Sequence, residues 1–439
     1  MVKTLLQQAD EARLELNSKS HDEIGHFLRT IADGIDNLSD DFVSLAVKET
    51  ALPDVRINGE RARTTDQLRK FASLVEEGSW VDARINWGGG KDLRRMLFPL
   101  GPVAVFGASN FPLAFSVAGG DTAAALAAKN PVIVKAHPAH PGVSEVVADV
   151  IQDAVRDCAF PSGTFSMLQS TSPNVAQSLV SNPLLAAVGF TGSLRVGRAL
   201  MDCAAARDRP IPVYAEMGSV NPIFIMPHAM ETRWEAIANG LCGSLTLGTG
   251  QFCTNPGLIV VSKHDRLGRF KEHLARAVDH VPSGTMLTHG IRDQFLNILE
   301  HVSNESGVEK LTKKPLDDDD CDAAAKVPGA VFSVSASKWI QSKLLQEEMF
   351  GPATLIVECE NESEMLRVAK TLDGQLTASI FGSNDDVDTT RSAITRALCD
   401  RVGRLIYNDW PTGVEVCDAM VHGGTCVCVC VCVFVYLFS

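Results

Sequence analysis

Two residues of this sequence have the types and settings that a two-step carbonyl chemistry requires. Cys253 lies in the loop GTGQFCTNPG (248–257), where glycines allow tight backbone geometry and a loop can present the thiol to a substrate. Glu216 ends a β-like run in PVYAEMGSVNPIFI (212–225). A thiolate can attack a carbonyl carbon, and a partly desolvated carboxylate can activate the water that later releases an acid. The pair predicts oxidation of an aldehyde through a thioester; a buried structural cysteine and a solvated glutamate are the alternatives.

The elements that would position these residues alternate between strands and helices. Short buried strands are predicted at PVAVFGA, VIVKAH, TFSML and AAVGFTG, and helices at DTAAALAAKN, 142–157, 173–181 and 194–206. This alternation is typical of a parallel sheet covered by helices on both faces. Residues 218–420 repeat the pattern less regularly and predict a second α/β unit.

The flanking regions have other patterns. Residues 1–77 are predicted to be helical, because apolar residues recur at helical spacing in HDEIGHFLRTIADGIDNL and DQLRKFASLVEE. Residues 79–100 are polar and alternating, with three glycines (88–90), and predict a hairpin. The acidic run Asp317–Asp320 is expected to lie in a surface loop.

Composition excludes some classes of protein. A chain of 439 residues is long for one core and suggests two or three domains. The net charge of −13 disfavours a nucleic-acid partner, since phosphate binding requires a basic face. Neither a signal peptide nor a transmembrane run is recognised in the sequence. Of twelve cysteines, the eight outside the tail lack paired spacing, which favours reduced thiols and a cytoplasmic location.

The tail TCVCVCVCVFVYLFS (425–439) is a two-residue repeat of Cys and Val. An uninterrupted TG dinucleotide tract encodes this alternation, so the tail is interpreted as non-native. A CxCxC metal site is the minor alternative, since a strand would place every cysteine on one face. The tail is more strongly predicted to be disordered or to form an aggregation-prone edge. No metal site is predicted elsewhere in the chain.

From about Leu93 to Gly424 the motifs resemble the NAD(P)-dependent aldehyde dehydrogenase superfamily. Gly250-Gln251-Phe252-Cys253 fits the family's G-Q-x-C pattern, and Glu216-Met217-Gly218 followed by Asn221-Pro222 resembles E-[LM]-G-x-x-x-P. The resemblance implies that Cys253 is the nucleophile and Glu216 the hydrolytic base. It also implies that Asn110, in FGASNFPLAF (106–115), forms the oxyanion site with the backbone N–H of Cys253.

The segment FTGSLRVGRAL (190–200) carries one part of the implied cofactor site. Gly192 and Gly197 lack the GxGxxG spacing, but the segment joins a strand to a helix whose N-terminus can bind a pyrophosphate. By resemblance, Ser193 contacts the phosphate.

Two further segments complete the implied cofactor site. Lys135 ends VIVK and would contact the adenosine ribose, while Glu348 and Phe350 in E-E-M-F-G-P would hold the nicotinamide ribose and abut its ring. NAD-preferring members often have a Glu three residues after this lysine, and here that residue is Pro138. Because no carboxylate would repel a 2′-phosphate, the cofactor is expected to be NADP or NAD, with a preference for NADP.

The resemblance assigns the fold as aldehyde dehydrogenase-like α/β. A Rossmann-type cofactor domain comprises residues 1–78 and 98–217, an oligomerisation hairpin comprises 79–97, and a catalytic α/β domain comprises 218–424.

Substrate choice rests on resemblance alone. KAHPAHP, FGASNFPLAF, YAEMGSVNP and NDWPTGVEV are most similar to the branch that oxidises α-ketoglutaric semialdehyde (2,5-dioxopentanoate) to 2-oxoglutarate. A long-chain aldehyde dehydrogenase is the competing interpretation. Phe111, Phe252 and Trp410 are expected to line the substrate entrance, but no cation for a second carboxylate is identified.

Both ends depart from the family pattern. Members have an additional N-terminal segment, and they continue past His422-Gly423-Gly424 into a strand that joins a neighbouring subunit, so the family's homo-oligomer is doubtful for this chain. An inactive fragment is therefore a second hypothesis. A third, a thiol hydrolase, is disfavoured because no Cys–His arrangement is recognised around Cys253.

Overall fold

The structure is a computed structural model that describes residues 1–88, 90–315, 325–387 and 392–424. Within these residues the chain divides into two compact units, with the boundary between Met217 and Gly218. The acidic run at Asp317–Asp320 and the Cys/Val tail lie outside the described residues, so the expectations for them stay predictions.

Residues 1–77 fold into helices, as predicted. These are α1 (Val2–Ser18), α2 (His21–Asp36), α3 (Asp40–Thr50) and α4 (Asp54–Glu77). A capping box starts α2, because the Ser20 hydroxyl accepts from the Glu23 N–H while the Glu23 carboxylate accepts from the Ser20 N–H. Left-handed Gly78 (φ +84°) ends α4, where a side chain would be strained.

The predicted hairpin follows α4. Strands β1 (Arg84–Gly88) and β2 (Lys91–Arg95) pair antiparallel, and Arg84 lies opposite Arg95. Large apolar side chains on and beside the hairpin are exposed, namely Ile85, Trp87, Leu93, Met96 and Phe98. An exposed apolar surface of this kind is typical of a contact with another protein chain.

The rest of the first unit is a parallel sheet with intervening helices. Its strands are β3 (Val103–Phe106), β4 (Val132–Lys135), β5 (Phe165–Leu168), β6 (Ala187–Thr191) and β7 (Val213–Glu216). Its helices are α5 (Gly120–Ala127), α6 (Pro141–Asp157), α7 (Pro173–Val180) and α8 (Leu194–Ala205). Each lies where the sequence predicts it.

The strand order of this sheet is β5-β4-β3-β6-β7, and every pair is parallel. The order reverses between β3 and β6. In an open α/β sheet, ligands bind outside the carboxyl ends of the strands at such a switch point.

The second unit is also α/β. Its strands, among the described residues, are β8 (Ile223–Ile225), β9 (Leu258–Ser262), β10 (Gly284–Thr285), β11 (Glu309–Lys310), β12 (Lys326–Val327), β13 (Ala330–Ser335), β14 (Ala353–Cys359), β15 (Gln375–Phe381) and β16 (Val402–Tyr407). Its described helices are α9 (Pro227–Thr246), α10 (Leu267–His280), α11 (His289–Asn304), α12 (Ala336–Gln341), α13 (Glu362–Thr371), α14 (Asn384–Val387) and α15 (Ala393–Cys399).

The main sheet of this unit has the order β11-β13-β14-β9-β8-β15-β16, and only the β11 pairing is antiparallel in the described residues. Alternate residues of each strand enter different cores: Leu258 and Val260 pack on one face, Ile259 and Val261 on the other. Both faces are therefore covered, as predicted for a parallel sheet. None of the helices in the described part of the chain has the length and apolarity that spanning a membrane requires.

Candidate active site

The carboxyl edge of the first unit's sheet gathers several of the predicted site residues. Lys135 ends β4, Glu216 ends β7, and Asn110 follows the end of β3. Because carboxyl ends of parallel strands meet at one edge, the topology places these residues on one side of the sheet. Asn110 and Glu216 are both buried, with 9% and 7% of their surface exposed.

Glu216 is tied to the turn that follows β6. Glu216 pairs with Thr191 of β6, and the backbone carbonyl oxygen of Glu216 accepts a 2.9 Å hydrogen bond from the Gly192 N–H. This bond holds the last residue of β7 beside the start of α8. Sequence reasoning found both segments but had no signal for the bond between them.

The start of α8 has the properties of a phosphate-binding helix end. Ser193 is the N-cap, and its hydroxyl accepts from the Val196 N–H at 3.4 Å. Gly192 and Ser193 are exposed, so the first N–H groups of the helix face solvent and the positive end of its dipole is accessible. Gly197 is buried against Met217, where a Cβ would lie 2.6 Å from the sulfur. Ser193 thus fits the predicted phosphate contact, whereas Gly197 serves packing.

Lys135 is half-buried at the end of β4, and burial lowers its pKa. Two histidines follow it. Burial, with His140 and Lys135 nearby, lowers the pKa of His137 to about 3, so this imidazole is neutral at physiological pH. His140 Nε2 lies 3.0 Å from the Ala108 carbonyl oxygen and positions the loop before Asn110. The sequence analysis did not single out either histidine.

The segment that carries Asn110 is held from α4. The Glu60 carboxylate accepts hydrogen bonds from the Leu113 N–H at 2.8 Å and from the Ala114 N–H at 3.0 Å. Phe111 is buried and packs edge-to-face on Phe115, with ring centroids 4.9 Å apart. A buried carboxylate that satisfies two backbone donors fixes a loop strongly, so Glu60 positions the Asn110 segment.

A second carboxyl lies near Glu216 in the first unit. Asp121 stands in the first turn of α5, and its side chain is 3.0 Å from where a Cβ on Gly189 would be. Burial of the carboxyl and the charge of Glu216 raise the pKa of Asp121 to about 7. A side chain at position 189 would crowd this carboxyl, and glycine there leaves room for it.

In the second unit, the loop that carries Cys253 is shaped by an unusual run of backbone conformations. Gly248, Thr249 and Gly250 all have positive φ, at +54°, +58° and +64°. A Cβ on Gly250 would lie 2.3 Å from the Gly351 backbone. The turn is therefore tight, and it leaves Cys253 partly exposed after the helical segment and before β9.

Asn221 fixes this loop from beneath. Its side-chain N–H group donates to the Cys253 carbonyl at 2.8 Å and to the Asn255 carbonyl at 2.9 Å, and its oxygen accepts from the Thr377 hydroxyl at 2.9 Å. Asn221 is fully buried and has φ +43°. The sequence analysis noted it only as part of a motif, and the structure shows that it holds two backbone carbonyls of the Cys253 loop.

The Cys253 thiol contacts a histidine. Its Sγ atom is 3.5 Å from Nε2 of His422. The expectation that no Cys–His arrangement surrounds Cys253 was wrong, because the two residues are 169 positions apart and no local pattern connects them. A histidine in contact with a thiol can take its proton and so increase the fraction present as thiolate.

Arg404 organises the segment that leads to His422. Its guanidinium donates to the carbonyls of Pro411 at 2.8 Å and Gly413 at 2.7 Å, and one nitrogen is 2.9 Å from the Met420 sulfur. Burial lowers the pKa of Arg404, and the charge of ionised Cys253 acts in the opposite direction. The cation is therefore close enough to stabilise a thiolate at Cys253.

Glu348 and Phe350 lie in a segment packed against the Cys253 loop. The Asn255 side chain donates to the Gly351 carbonyl at 3.0 Å, and Gly250 approaches the same residue. A Cβ on Gly218 would lie 2.4 Å from a Glu348 carboxylate oxygen, so glycine at 218 makes room for that carboxylate. Glu348 and Phe350 are both partly exposed, which fits groups that contact a ribose and a ring.

Phe252 and Trp410 have packing roles in the second unit. Phe252 is 8% exposed and its ring lies against Gly248. Trp410 packs on Phe381, with ring centroids 4.7 Å apart, and over Gly240 of α9. The proposed substrate contacts of Phe252 and Trp410 stay predictions.

Comparison with known proteins identifies related chains. The profile of the aldehyde dehydrogenase family matches residues 1–425. An α-ketoglutaric semialdehyde dehydrogenase of Azospirillum brasilense is 47% identical over 405 residues, which cover 91% of this chain and 76% of the relative. An enzyme of the same description from Acinetobacter baylyi is 40% identical over 433 residues, covering 95% of this chain and 80% of the relative.

Solved structures share the fold at low sequence identity. A 1-pyrroline-5-carboxylate dehydrogenase superposes with a TM-score of 0.84 at 20% identity, covering 100% of this chain and 84% of that one. A glyceraldehyde-3-phosphate dehydrogenase from Methanocaldococcus jannaschii, solved with NADP, gives 0.83 at 19% identity, with coverages of 97% and 89%. The aldehyde dehydrogenase-like α/β fold predicted from the sequence is confirmed.

Proposed function

We propose, on the premise that this chain belongs to the aldehyde dehydrogenase family, that it oxidises α-ketoglutaric semialdehyde to 2-oxoglutarate with NADP or NAD. Membership makes the protein an oxidoreductase that acts on aldehydes, as the motifs predicted. The names of the two relatives at 47% and 40% identity support the choice of substrate. The observation that carries the proposal is the setting of Cys253, a partly exposed thiol fixed by Asn221 and in contact with His422.

The proposed first step is formation of a carbon–sulfur bond. His422 takes the proton of the Cys253 thiol, and the thiolate attacks the aldehyde carbon. The Asn110 side-chain N–H and the Cys253 backbone N–H donate to the oxygen as it becomes negative. The buried position of Asn110, and the hydrogen bonds that hold its segment through Glu60, support a fixed donor that needs no reorganisation.

The proposed second step releases the acid. NADP or NAD, when bound, would supply the acceptor for the hydride of the carbon attached to sulfur, and an acyl thioester would remain on Cys253. Glu216 then takes a proton from water, and the resulting hydroxide attacks the thioester carbon and displaces the Cys253 thiolate. A buried carboxylate suits this task, because desolvation favours its acceptance of a proton.

Residues of each unit fit one part of the proposed cofactor. In the first unit, the exposed N-terminus of α8 at Gly192 and Ser193 fits a pyrophosphate, and half-buried Lys135 fits the adenosine ribose. In the second unit, the Glu348 carboxylate beside Gly218 fits the hydroxyls of the nicotinamide ribose, with Phe350 against the ring. Solved structures of the same fold that hold NADP or NAD support a nicotinamide cofactor. Pro138, where a carboxylate would select NAD, supports a preference for NADP.

A thiol hydrolase is a second candidate, and the Cys253–His422 contact favours it. A Cys–His pair can transfer an acyl group from an ester to water without a nicotinamide cofactor. The exposed α8 terminus and the Glu348 segment would then have no role. The candidate therefore accounts for fewer of the residues.

Assembly and location are also proposed. The exposed apolar side chains on and beside the β1–β2 hairpin, of which Trp87 and Phe98 are examples, support a homo-oligomer in which this region contacts another copy. Free thiols at every described cysteine support a reducing compartment, the cytoplasm. The net charge of −13 supports a small-molecule partner without nucleic acid.

A steady-state assay tests the proposal. Purified protein is mixed with NADP or NAD and with 2,5-dioxopentanoate, pentanal or a long-chain aldehyde, and cofactor reduction is followed by absorbance. We expect the highest kcat/KM with 2,5-dioxopentanoate. A p-nitrophenyl ester hydrolysed rapidly without cofactor, together with no aldehyde oxidation, would support the thiol hydrolase instead.

A further inference from the structure

One face of the first unit's sheet carries two carboxyl groups near the carboxyl ends of its strands. Thr191 of β6 pairs with Glu216 of β7, and Gly189 lies two residues before Thr191 on the same strand. Side chains alternate between the faces of a strand, so positions 189, 191 and 216 share a face. A carboxyl oxygen of Asp121 is 3.0 Å from where a Cβ on Gly189 would be. The Asp121 carboxyl therefore lies against the face from which Glu216 projects.

The two carboxyl groups are close enough for their charges to interact. Neighbouring strands lie about 4.8 Å apart and each residue advances a strand by about 3.3 Å, so positions 189 and 216 are separated by about 8 Å. Asp121 reaches this face at position 189, and Glu216 stands at the end of β7. Burial of the carboxyl and the charge of Glu216 raise the pKa of Asp121 to about 7, which agrees with this geometry.

No cation offsets the charge of Asp121 among the described residues. Helix α4 packs on α5 and presents the neutral Gln67 at Gly120, one residue before Asp121. Helix α2 and strands β3 and β4 also contact α5, and their described residues supply no charge that acts on Asp121. An ionised carboxyl in such a place is destabilising, and groups of this kind are concentrated at functional sites.

We propose that Asp121 strengthens Glu216 as the base that activates water for hydrolysis of the thioester. This inference rests on the proposed function and adds a positioning residue to it, since Asp121 acts through Glu216. The interaction of two charges is reciprocal, so an ionised Asp121 increases the affinity of Glu216 for a proton. When Glu216 takes a proton from water, the pair changes from two negative charges to one. The hydroxide forms the new bond to the thioester carbon, and the Cys253 thiolate leaves with the electrons of the broken carbon–sulfur bond.

The coupling predicts how hydrolysis depends on pH. Below about pH 7 Asp121 is protonated and neutral, so it gives Glu216 no assistance. As the pH rises through about 7 Asp121 ionises, and Glu216 becomes the stronger base. A stronger general base accelerates proton removal, so hydrolysis of the thioester should become faster over this range.

The first test follows the acyl group on Cys253. After one turnover with 2,5-dioxopentanoate and NADP, samples are quenched over time at several pH values, and mass spectrometry of the Cys253 peptide gives the rate of hydrolysis. We expect a rise of about tenfold through neutral pH in the wild type and in Asp121→Glu, and no such rise in Asp121→Asn. Asp149→Asn, at an exposed position of α6, is the control and keeps the wild-type profile.

This pH profile distinguishes coupling from a structural role. Loss of packing at Asp121 would slow cofactor reduction and hydrolysis alike and would leave the shape of the profile unchanged. The same rise through neutral pH in Asp121→Asn as in the wild type would overturn the proposal.

A second test requires no turnover and separates this inference from the proposed function. Urea unfolding gives the stability difference between the presence of Asp121 and of Asn at this position, over a range of pH, with Glu216 and again with Glu216→Gln. We expect the midpoint of the pH-dependent difference to move down by about one pH unit or more in the Glu216→Gln background, because the second charge is gone. An unchanged midpoint would overturn the coupling. If the wild type oxidises no aldehyde, the proposed function fails, and unfolding alone decides on the coupling.

Discussion

The Cys253 sulfur lies 3.5 Å from Nε2 of His422, so the proposed nucleophile contacts a proton acceptor in its own unit. Arg404 holds the segment before His422 by donating to the carbonyls of Pro411 and Gly413. Its guanidinium also interacts electrostatically with the ionised Cys253 thiol. The contact gives His422 a proposed function as the proton acceptor of the thiol. The sequence analysis had used His422-Gly423-Gly424 only to mark the end of the family resemblance.

Replacing His422 with Gln is expected to slow alkylation of Cys253 by iodoacetamide about tenfold or more near neutral pH, because less of the thiol is present as thiolate. Mass spectrometry of the Cys253 peptide over time gives the rate, which requires no substrate. Added imidazole should restore part of the rate in His422→Gly. His301→Gln, at an exposed position of α11, is the control. Equal alkylation rates in His422→Gln and the wild type would remove His422 from the mechanism.

Asn221→Ala is expected to reduce both stability and turnover. The substitution leaves the carbonyls of Cys253 and Asn255 and the Thr377 hydroxyl without their buried donor or acceptor. A loss of about 2–4 kcal/mol in the free energy of unfolding follows from several such groups. Urea unfolding measures it, and kcat should fall more than KM rises because the loop loses its geometry.

The comparison for this variant is Asn58→Ala. Asn58 is an exposed asparagine of α4 that donates only locally, to the Asp54 carbonyl. It should change stability by less than about 0.5 kcal/mol. A wild-type unfolding curve for Asn221→Ala would contradict the support role.

Asp121 predicts a pH dependence of stability. Its pKa of about 7 in the folded protein exceeds the ordinary value of 3.8, so the native state binds more protons than the unfolded state between these values. The contribution of Asp121 to the free energy of unfolding therefore falls as pH rises from about 4 to 7 and stays low above 7.

Asp121→Asn should remove the fall in the free energy of unfolding that the ionising Asp121 carboxyl causes as the pH rises. The variant is expected to gain roughly 1–3 kcal/mol relative to the wild type at pH 8, and the gain should disappear near pH 4. Thermal unfolding across this range measures the difference. A constant difference between the two proteins at all pH values would show that Asp121 is not the group responsible.

Pro138→Glu should change the cofactor preference. The new carboxylate would follow Lys135 by three residues, where it repels the 2′-phosphate of NADP and accepts from the 2′-hydroxyl of NAD. The ratio of kcat/KM with NADP to that with NAD is expected to fall at least tenfold. Asn174→Glu, which adds the same charge at an exposed position of α7, is the control. A wild-type preference for NAD would refute the prediction before any mutation.

Local patterns in the sequence were sufficient for the strands, the helices and the segments that carry the predicted site residues. The apolar run ending in Lys135 predicts a strand, and the glycine-rich segment before Cys253 predicts a turn. In each case a pattern within about ten residues is sufficient. The predicted site residues of each unit lie on such segments, and the sequence was sufficient to predict the local structure around them.

Contacts between distant segments were not predictable. Glu60 holds Leu113 and Ala114 across more than 50 positions, and a glutamate in an Arg-rich helix reads as a solvated charge. The spacing of Arg56, Glu60 and Arg63 on one helical face was the available signal, because charged residues on a face that packs require partners. His422 had no such signal, since nothing in its neighbourhood indicates which residue 169 positions away it would meet.

Glu216→Gln tests the central claim most directly, because it separates the two chemical steps. An amide cannot take the proton from water, so the account predicts a single burst of reduced cofactor and loss of steady turnover by about 10²-fold or more. With 2,5-dioxopentanoate and NADP, mass spectrometry of the quenched variant should find the acyl group on the Cys253 peptide, and Cys253→Ala should give neither burst nor adduct. Turnover at the wild-type rate in Cys253→Ala, or an acyl group on any other residue, would contradict an oxidation that proceeds through a thioester at Cys253.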